Sequence, residues 1–385
     1  MQTDQDGARR VYIGCFGSGL GHATRMLAVA RALNEKGVQV RFSSSSEVAH
    51  FIEKQGFECN RLPLADVRYK EDGGLSVKHT VASGGIIMAR TYQQMRLEIS
   101  HMMSFDPDSV LVDSALSTLL AAKISGKRAI TILNQLRIES SQRDSVPHRL
   151  LSAGMTEGMG TLWELSDEIL LPDLPPPYTI SESNLWNANI KNTRYIGFLT
   201  QEDEGTPDRA HRDFAGASLP KVFWQVSGPP KTRTPLLKKA LAIAERLAGS
   251  YTFVITGGDP TGETTPKPIP GGWYYEWCGL VENYFRACDL IVSRAGHGTL
   301  SQAISHGKPS LLVPIPGQTE QEGNSKKAAK LGVSLAVGQD DLTPERFREA
   351  VGRLREEGFA SNVSKVCEVA RGYDAQEEII KALRA

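Results

Sequence analysis

Cysteine is scarce in this 385-residue chain: there are five, at positions 15, 59, 278, 288 and 367. The number is odd, the positions are dispersed, and no Cys-x-x-Cys occurs. That arithmetic argues against a disulfide framework or a zinc site and fits a reducing cytoplasm. Net charge is lacking too, since 44 Lys and Arg balance 44 Asp and Glu. Non-specific nucleic-acid binding is driven by positive charge, so this balance argues against it as the main business. No apolar run approaches the roughly 20 residues of a spanning helix. The opening MQTDQDGARR is polar and has no apolar signal core. The expectation is a soluble protein, at most peripheral to a membrane. What the chain does have is glycine, 36 residues of it, clustered after apolar runs as open α/β sheets require. Its length suggests two or three domains.

Apolar runs and helical spacing alternate along the first half. VYIGCF (11–16) reads as a strand, GSGLGH (17–22) as a turn, and the segment to Gly37 as a helix through Met26, Leu27, Val29, Ala30 and Leu33. Strands follow at 38–44, 109–114 and 129–133, with helices around 47–55 and up to Ile124. This is a doubly wound parallel pattern. LPDLPPP (171–177) is neither helix nor central strand. YIGF (195–198) reads as the last strand of this half. The polar stretch TQEDEGTPDRAHRD reads as a linker. A second series begins at 221–228, with a helix near 235–248 and strands at 253–257, 273–278, 290–295 and 310–315.

The richest stretch is Ser293 to Gly332. An apolar run meets the small-residue turn Arg294-Ala295-Gly296-His297-Gly298; a helix, a second apolar run and a loop rich in Gln and Glu follow. In parallel α/β sheets, ligands bind at the carboxyl ends of strands, against helix N-termini. His297, Gly298 and Thr299 can offer backbone N–H groups to an anion. Gln318, Glu320, Gln321 and Asn324 can offer hydrogen bonds to a polyol. A nucleotide-sugar requires both.

This stretch resembles the donor-binding half of GT-B glycosyltransferases, in the MurG-like and UDP-glycosyltransferase group. Gly296, Thr299, Gln302, Gly307, Pro309, Pro314, Gln318, Glu320, Gln321 and Asn324 carry the resemblance. It departs at one place: the family has a Glu for the ribose hydroxyls where this chain has Gln302, an amide that accepts one hydrogen bond and donates another without charge. The resemblance implies a diphosphate loop at Ser227-Gly228, where Pro229 and Pro230 remove two N–H donors and Lys231, Arg233 and Arg294 are candidate cations. It puts uracil near Cys278, a residue that itself reads as packing. Glu320 and Gln321 are expected to contact the sugar.

Gly17 to His22 is an imperfect Gly-x-Gly-x-x-Gly turn, with His22 in the third place. The second strand ends in Ser43-Ser44-Ser45-Ser46 and not in the acidic residue a dinucleotide site needs, which argues against NAD or FAD. Gly19 and Gly21 count among the expected nucleotide-sugar contacts. His22 resembles the general base of UDP-glycosyltransferases; its other reading is a helix cap or phosphate ligand. Asp113 either orients that His or caps the next helix. Asn134-Gln135 are candidates for the acceptor side of the cleft. Met88, Met95, Met102 and Met103 read either as core or as an adaptable surface for a lipid-linked acceptor.

The expectation is an α/β protein of GT-B architecture: an acceptor-binding domain over 1–200, a linker over 201–219, a nucleotide-sugar domain over 220–372, and a helix over 373–385 packing back on the first domain. The implied activity is inverting, metal-independent transfer of a hexose, such as N-acetylglucosamine, from a UDP-sugar to an acceptor hydroxyl. No resident cofactor or metal and no nucleic-acid partner are expected. The acceptor is a small molecule or lipid-linked, and the place is the cytoplasm, at the inner face of the membrane in the lipid case. The competing readings are a UDP-N-acetylglucosamine 2-epimerase type of enzyme and a non-catalytic binding subunit.

Overall fold

Val11, Ile13 and Cys15 point to one face of strand β1 (Arg10–Cys15) and Tyr12 to the other, and all four are buried. A strand apolar on both faces belongs inside a sheet covered on both sides. The computed structural model describes residues 9–17, 19–64, 84–135, 158, 160–185, 192–200, 208–214, 218–228, 230–279 and 281–384. Of the polar stretch read as a linker, residues 201–207 lie outside these residues, and Asp208–Asp213 form a helix.

The first sheet contains β1, β2 (Gln39–Ser45), β3 (Cys59–Leu62), β4 (Ser109–Asp113), β5 (Arg128–Ile132), β6 (Glu168–Leu171) and β7 (Thr193–Tyr195). Their spatial order is β3-β2-β1-β4-β5-β6-β7, and every pairing is parallel. The chain reverses its direction of winding between β1 and β4, which opens a crevice beyond their carboxyl ends. The second sheet contains β8 (Lys221–Gln225), β9 (Thr252–Thr256), β10 (Lys267–Ile269), β11 (Gly272–Tyr275), β12 (Leu290–Ser293), β13 (Ser310–Leu312) and β14 (Ser334–Ala336). Its order is β10-β11-β9-β8-β12-β13-β14, with only β10 antiparallel to its neighbour. Here the reversal falls between β8 and β12. The glycine-rich turns singled out from the sequence follow β1, β8 and β12, Asp113 ends β4, and the Gln- and Glu-rich loop follows β13.

Several boundaries differ from the reading. Strand character at YIGF is confined to Tyr195, because Gly197 turns to a φ of 83°. A Cβ there would meet Tyr373 at 2.2 Å. The run SLLVPI stops pairing as a strand at Leu312, short of Pro314, which has no N–H to donate. The second half's first helix starts at Pro230 and not near Pro235, which it accommodates in its interior. The methionine-bearing segment is a helix, Gly84–Phe105, that buries Met102, packs Met95 against the core, and exposes Met88 and Met103.

Two packing features cross between the halves. The helix Ala375–Arg384 buries Ile379, Ile380 and Leu383 with Val11, Ile13, Met26 and Leu27 of the first half. Conversely, Leu174, Ile180 and Phe198 bury with Ala295, Leu300, Ile304 and Leu312 of the second. The segment after β6 is thus part of the second half's packing. Among the described residues, no helix is long and apolar enough to cross a membrane.

Candidate active site

The first crevice is built from β1, β4 and the helix Leu20–Glu35. Gly17 passes so close to β2 that a Cβ would lie 2.0 Å from Ser45 Oγ. Gly19, at φ 78°, precedes the helix, and no side chain caps it. His22 and Arg25 are one turn apart and so share a helix face. Asp113, the last residue of β4, is opposite Cys15 in register and fully buried. Its side chain does not cap the following helix, Leu116–Ile124, whose N-cap is Ala115. It meets His22 and Arg25 instead. His22 Nδ1 is 2.9 Å from Asp113 Oδ1. Arg25 Nε donates to Asp113 Oδ2 at 2.6 Å, and its Nη2 donates to Oδ1. Arg25 Nη2 also approaches His22 Nδ1 at 3.2 Å.

Burial pushes the Asp113 carboxyl up, but Arg25 and then His22 more than reverse this and hold it well below the usual carboxylate range. Asp113 is therefore an acceptor, and a Nδ1–H donating to it leaves His22 Nε2 as the free acceptor nitrogen. The His22 side chain is 23% exposed, enough to meet a ligand. The serines ending β2 have structural partners: Ser43 Oγ donates to the buried Glu98 at 2.8 Å and Ser44 Oγ to the Cys15 carbonyl at 2.9 Å.

The second crevice is built largely from backbone. Gly228 follows β8 at φ 104°, where a Cβ would meet Thr232 Oγ1 at 2.6 Å. Ser227 is half-buried; Gly228 and Lys231 are exposed. After β12 the helix His297–Ser305 starts at Gly296 with no side-chain cap. Gly296, Gly298 and Thr299 reach the surface there, and the first N–H groups of a helix are free to bind an anion.

Several side chains expected at the donor are otherwise engaged. Arg294 is turned inward: it is buried and donates to the carbonyls of Val313 at 3.0 Å, Pro314 at 3.3 Å and Thr232 at 2.6 Å, and to Gln339. Burial alone pulls its guanidinium down to about 10. Arg233 donates to the Gly258 carbonyl. The Gln321 Oε1 accepts the Ile315 N–H at 2.9 Å and so braces its own loop. Asn324 is fully buried; it donates to the Ala295 carbonyl at 3.0 Å and accepts from Asn184 at 3.2 Å. The His297 ring is also buried, with Nε2 3.1 Å from Asp173 Oδ2, so only its backbone faces the crevice. The Cys278 thiol is packed among Tyr284, Phe285 and Ala303. Gln302 donates to Glu282 Oε2 at 2.5 Å. Gln318 Oε1 is buried with no hydrogen-bond partner.

Glu320 faces the other half: Asn134 Nδ2 donates to its Oε1 at 3.4 Å. Asn134 Oδ1 in turn accepts from Arg25 at 3.3 Å. Gln135 is exposed. The two crevices are thereby linked by a short polar chain, Arg25–Asn134–Glu320. Arg25 and Glu282 were not singled out from the sequence. Arg25 had a signal, being three residues beyond His22 on one helix. Glu282 had none, since its partner is 20 positions away in the chain.

Known proteins bear on this geometry. Residues 239–379 match the glycosyltransferase family 28 C-terminal domain, and residues 8–159 match glycosyl transferase family 1. An uncharacterized glycosyltransferase of Methanosarcina mazei is 25% identical over 90% of this chain and 93% of its own. The UDP-N-acetylglucosamine–N-acetylmuramyl-(pentapeptide) pyrophosphoryl-undecaprenol N-acetylglucosamine transferase of Prochlorococcus marinus is 29% identical over 46% of this chain and 56% of its own. Among solved structures, the Streptomyces sp. SF2575 glycosyltransferase SsfS6, complexed with thymidine diphosphate, superposes with a TM-score of 0.67 at 17% identity, covering 98% of this chain and 100% of that one. The chain is a glycosyltransferase of the GT-B fold, and its second half carries a glycosyltransferase family 28 C-terminal domain.

Proposed function

We propose that this glycosyltransferase moves a sugar from a UDP-sugar to an acceptor hydroxyl with inversion, using His22 as the general base and no metal ion. The observation that carries the reading is the His22–Asp113 contact of 2.9 Å at the reversal point of the first sheet, in a half linked to the donor crevice through Asn134 and Glu320. His22 Nε2 takes the acceptor O–H proton as the oxygen attacks the anomeric carbon. The bond from that carbon to the diphosphate breaks on the opposite face, and UDP departs with the electron pair. The uncapped start of the helix His297–Ser305 meets the developing negative charge with backbone N–H groups, the service that an oriented helix terminus gives an anion. Glu320 remains the side chain placed to meet the sugar, and Gln302 the one for the ribose.

The choice of UDP, with N-acetylglucosamine or another hexose, draws on the activity for which the Prochlorococcus transferase is named. That enzyme's undecaprenol-linked acceptor, with the exposed Met88, Tyr92 and Met103 of this chain, favours an acceptor presented at the cytoplasmic face of a membrane. The test is calorimetry with UDP and UDP-N-acetylglucosamine, with and without chelator, followed by product analysis against lipid-linked and soluble acceptors. Binding that disappears with chelator overturns the metal-free part. Binding to thymidine diphosphate but not UDP overturns the choice of base.

A further inference from the structure

Arg25 is the buried group that the mechanism above leaves without a task. Its guanidinium grips both oxygens of Asp113, touches His22 Nδ1 at 3.2 Å and reaches Asn134 Oδ1 at 3.3 Å. Asp113 is wholly out of water, so its charge is not screened by solvent. A lone carboxylate in that position orients a histidine but also holds a proton on it, and a protonated imidazole cannot act as a base. We infer that Arg25 is a positioning residue for proton transfer: it balances the charge of Asp113, so that the carboxylate orients the His22 ring without keeping it charged.

The inference rests on His22 being the base. The charged or titratable groups around the ring are few among the described residues. Asp113 comes from β4 and Arg25 from the ring's own helix. Glu320, from the second half, acts on Arg25. The Cys15 thiol of β1 is fully buried, and burial pushes it up, so it stays neutral. Phe16 contributes only a ring edge, 5.5 Å from the imidazole. The planar fork matters as well as the charge. Only a guanidinium can hold both oxygens of Asp113 in the plane that leaves Oδ1 aimed at Nδ1.

The test is nuclear magnetic resonance of ring-labelled histidine in the full chain without substrate, following His22 as pH is varied. The His22 signal is assigned by its loss in His22→Gln. In Arg25→Met the pH midpoint of the ring should rise by about one unit or more, a tenfold change in proton affinity. Arg25→Lys, which keeps the charge without the fork, should fall between that variant and the parent. Because Arg25→Met leaves a buried carboxylate unpaired and can fail to fold, a second pair is measured. Asp113→Asn, with Arg25 left in place, should lower the midpoint below the parent. Adding Arg25→Met to Asp113→Asn should bring it back up. Equal midpoints in parent and folded Arg25→Met, or in Asp113→Asn and the double variant, overturn the inference. The ring reports charge balance whether or not His22 is the base, whereas turnover in His22→Ala tests the base. Failure of either is therefore seen separately.

Discussion

The two crevices of this chain are made of different material. In the first, side chains face one another: a base candidate, a buried carboxylate and a guanidinium are all within 3.2 Å of a neighbour in the cluster. In the second, the start of the helix His297–Ser305 presents backbone, and several polar side chains are turned inward as braces. Arg294, Gln321 and Asn324 all hydrogen-bond to main-chain groups of the second half. On the proposed function, the difference follows from the two tasks. Moving a proton needs an ionisable atom at one point, and only side chains supply it. Holding a diphosphate needs several donors in fixed directions, and N–H groups at the start of a helix give these at no cost in side-chain freedom. The braces keep that start in place.

Substitutions can break this contrast. The largest effect is expected from His22→Ala, which should lower turnover by roughly a hundred- to ten-thousand-fold, the share of a general base, while nucleotide affinity measured by calorimetry stays near the parent's. Equal loss of binding would move His22 to the nucleotide. Arg294→Met should act on the fold and not on the ligand. It strips charged donors from three carbonyls, two of them buried, and should lower unfolding free energy by about 3 kcal/mol in a urea titration. A large loss of UDP affinity in the folded fraction would restore Arg294 as a phosphate contact.

Gln302→Glu would seem to rebuild the family's ribose carboxylate, but the buried Glu282 already sits 2.5 Å from the amide. The substitution exchanges a donor to that carboxylate for a second carboxylate, with His306 2.5 Å and Arg286 3.4 Å from Glu282 on its other oxygen. The variant should therefore lose about 1–2 kcal/mol of unfolding free energy in a urea titration. Unchanged stability would show that the two groups part. The smallest effect belongs to Gln321→Ala. Loss of one buried loop hydrogen bond should cost about 1 kcal/mol of stability, with UDP and UDP-sugar affinities shifting together. A loss confined to the UDP-sugar would return Gln321 to the sugar.

The fold was legible where an apolar run ended in a small-residue turn. β1, β4, β8 and β12 all have that form, and they are the strands that flank both reversal points. β10 and β14, with three residues each, carry too little periodicity to be read, and β6, with four, went unassigned next to the prolines. The side chains of the site divide in the same way. Asp113 ends β4 and His22 lies in the first turn of the helix that follows β1, so topology alone brings them together. The tasks of Arg294, His297, Gln321 and Asn324 depend on partners up to 140 positions away, as in Asn184–Asn324. Local pattern carries no trace of such pairs. Residue type marked them as polar and near a ligand; only packing showed that their donors and acceptors were already taken.

The docking of the helix Ala375–Arg384 also bears on the order of assembly. Ile379, Ile380 and Leu383 fill the same core as Val11, Ile13 and Met26, and Arg9 reaches the Leu383 carbonyl at 2.8 Å. During synthesis the first half of the chain emerges long before this helix exists. Its core must stay open on one side while the whole second half is made and folded. Domains are commonly finished from the N-terminus onward. Here the first crevice to be translated is the last to be sealed, so a chain truncated after residue 372 and released from the ribosome should have a protease-sensitive first half beside a largely resistant second half.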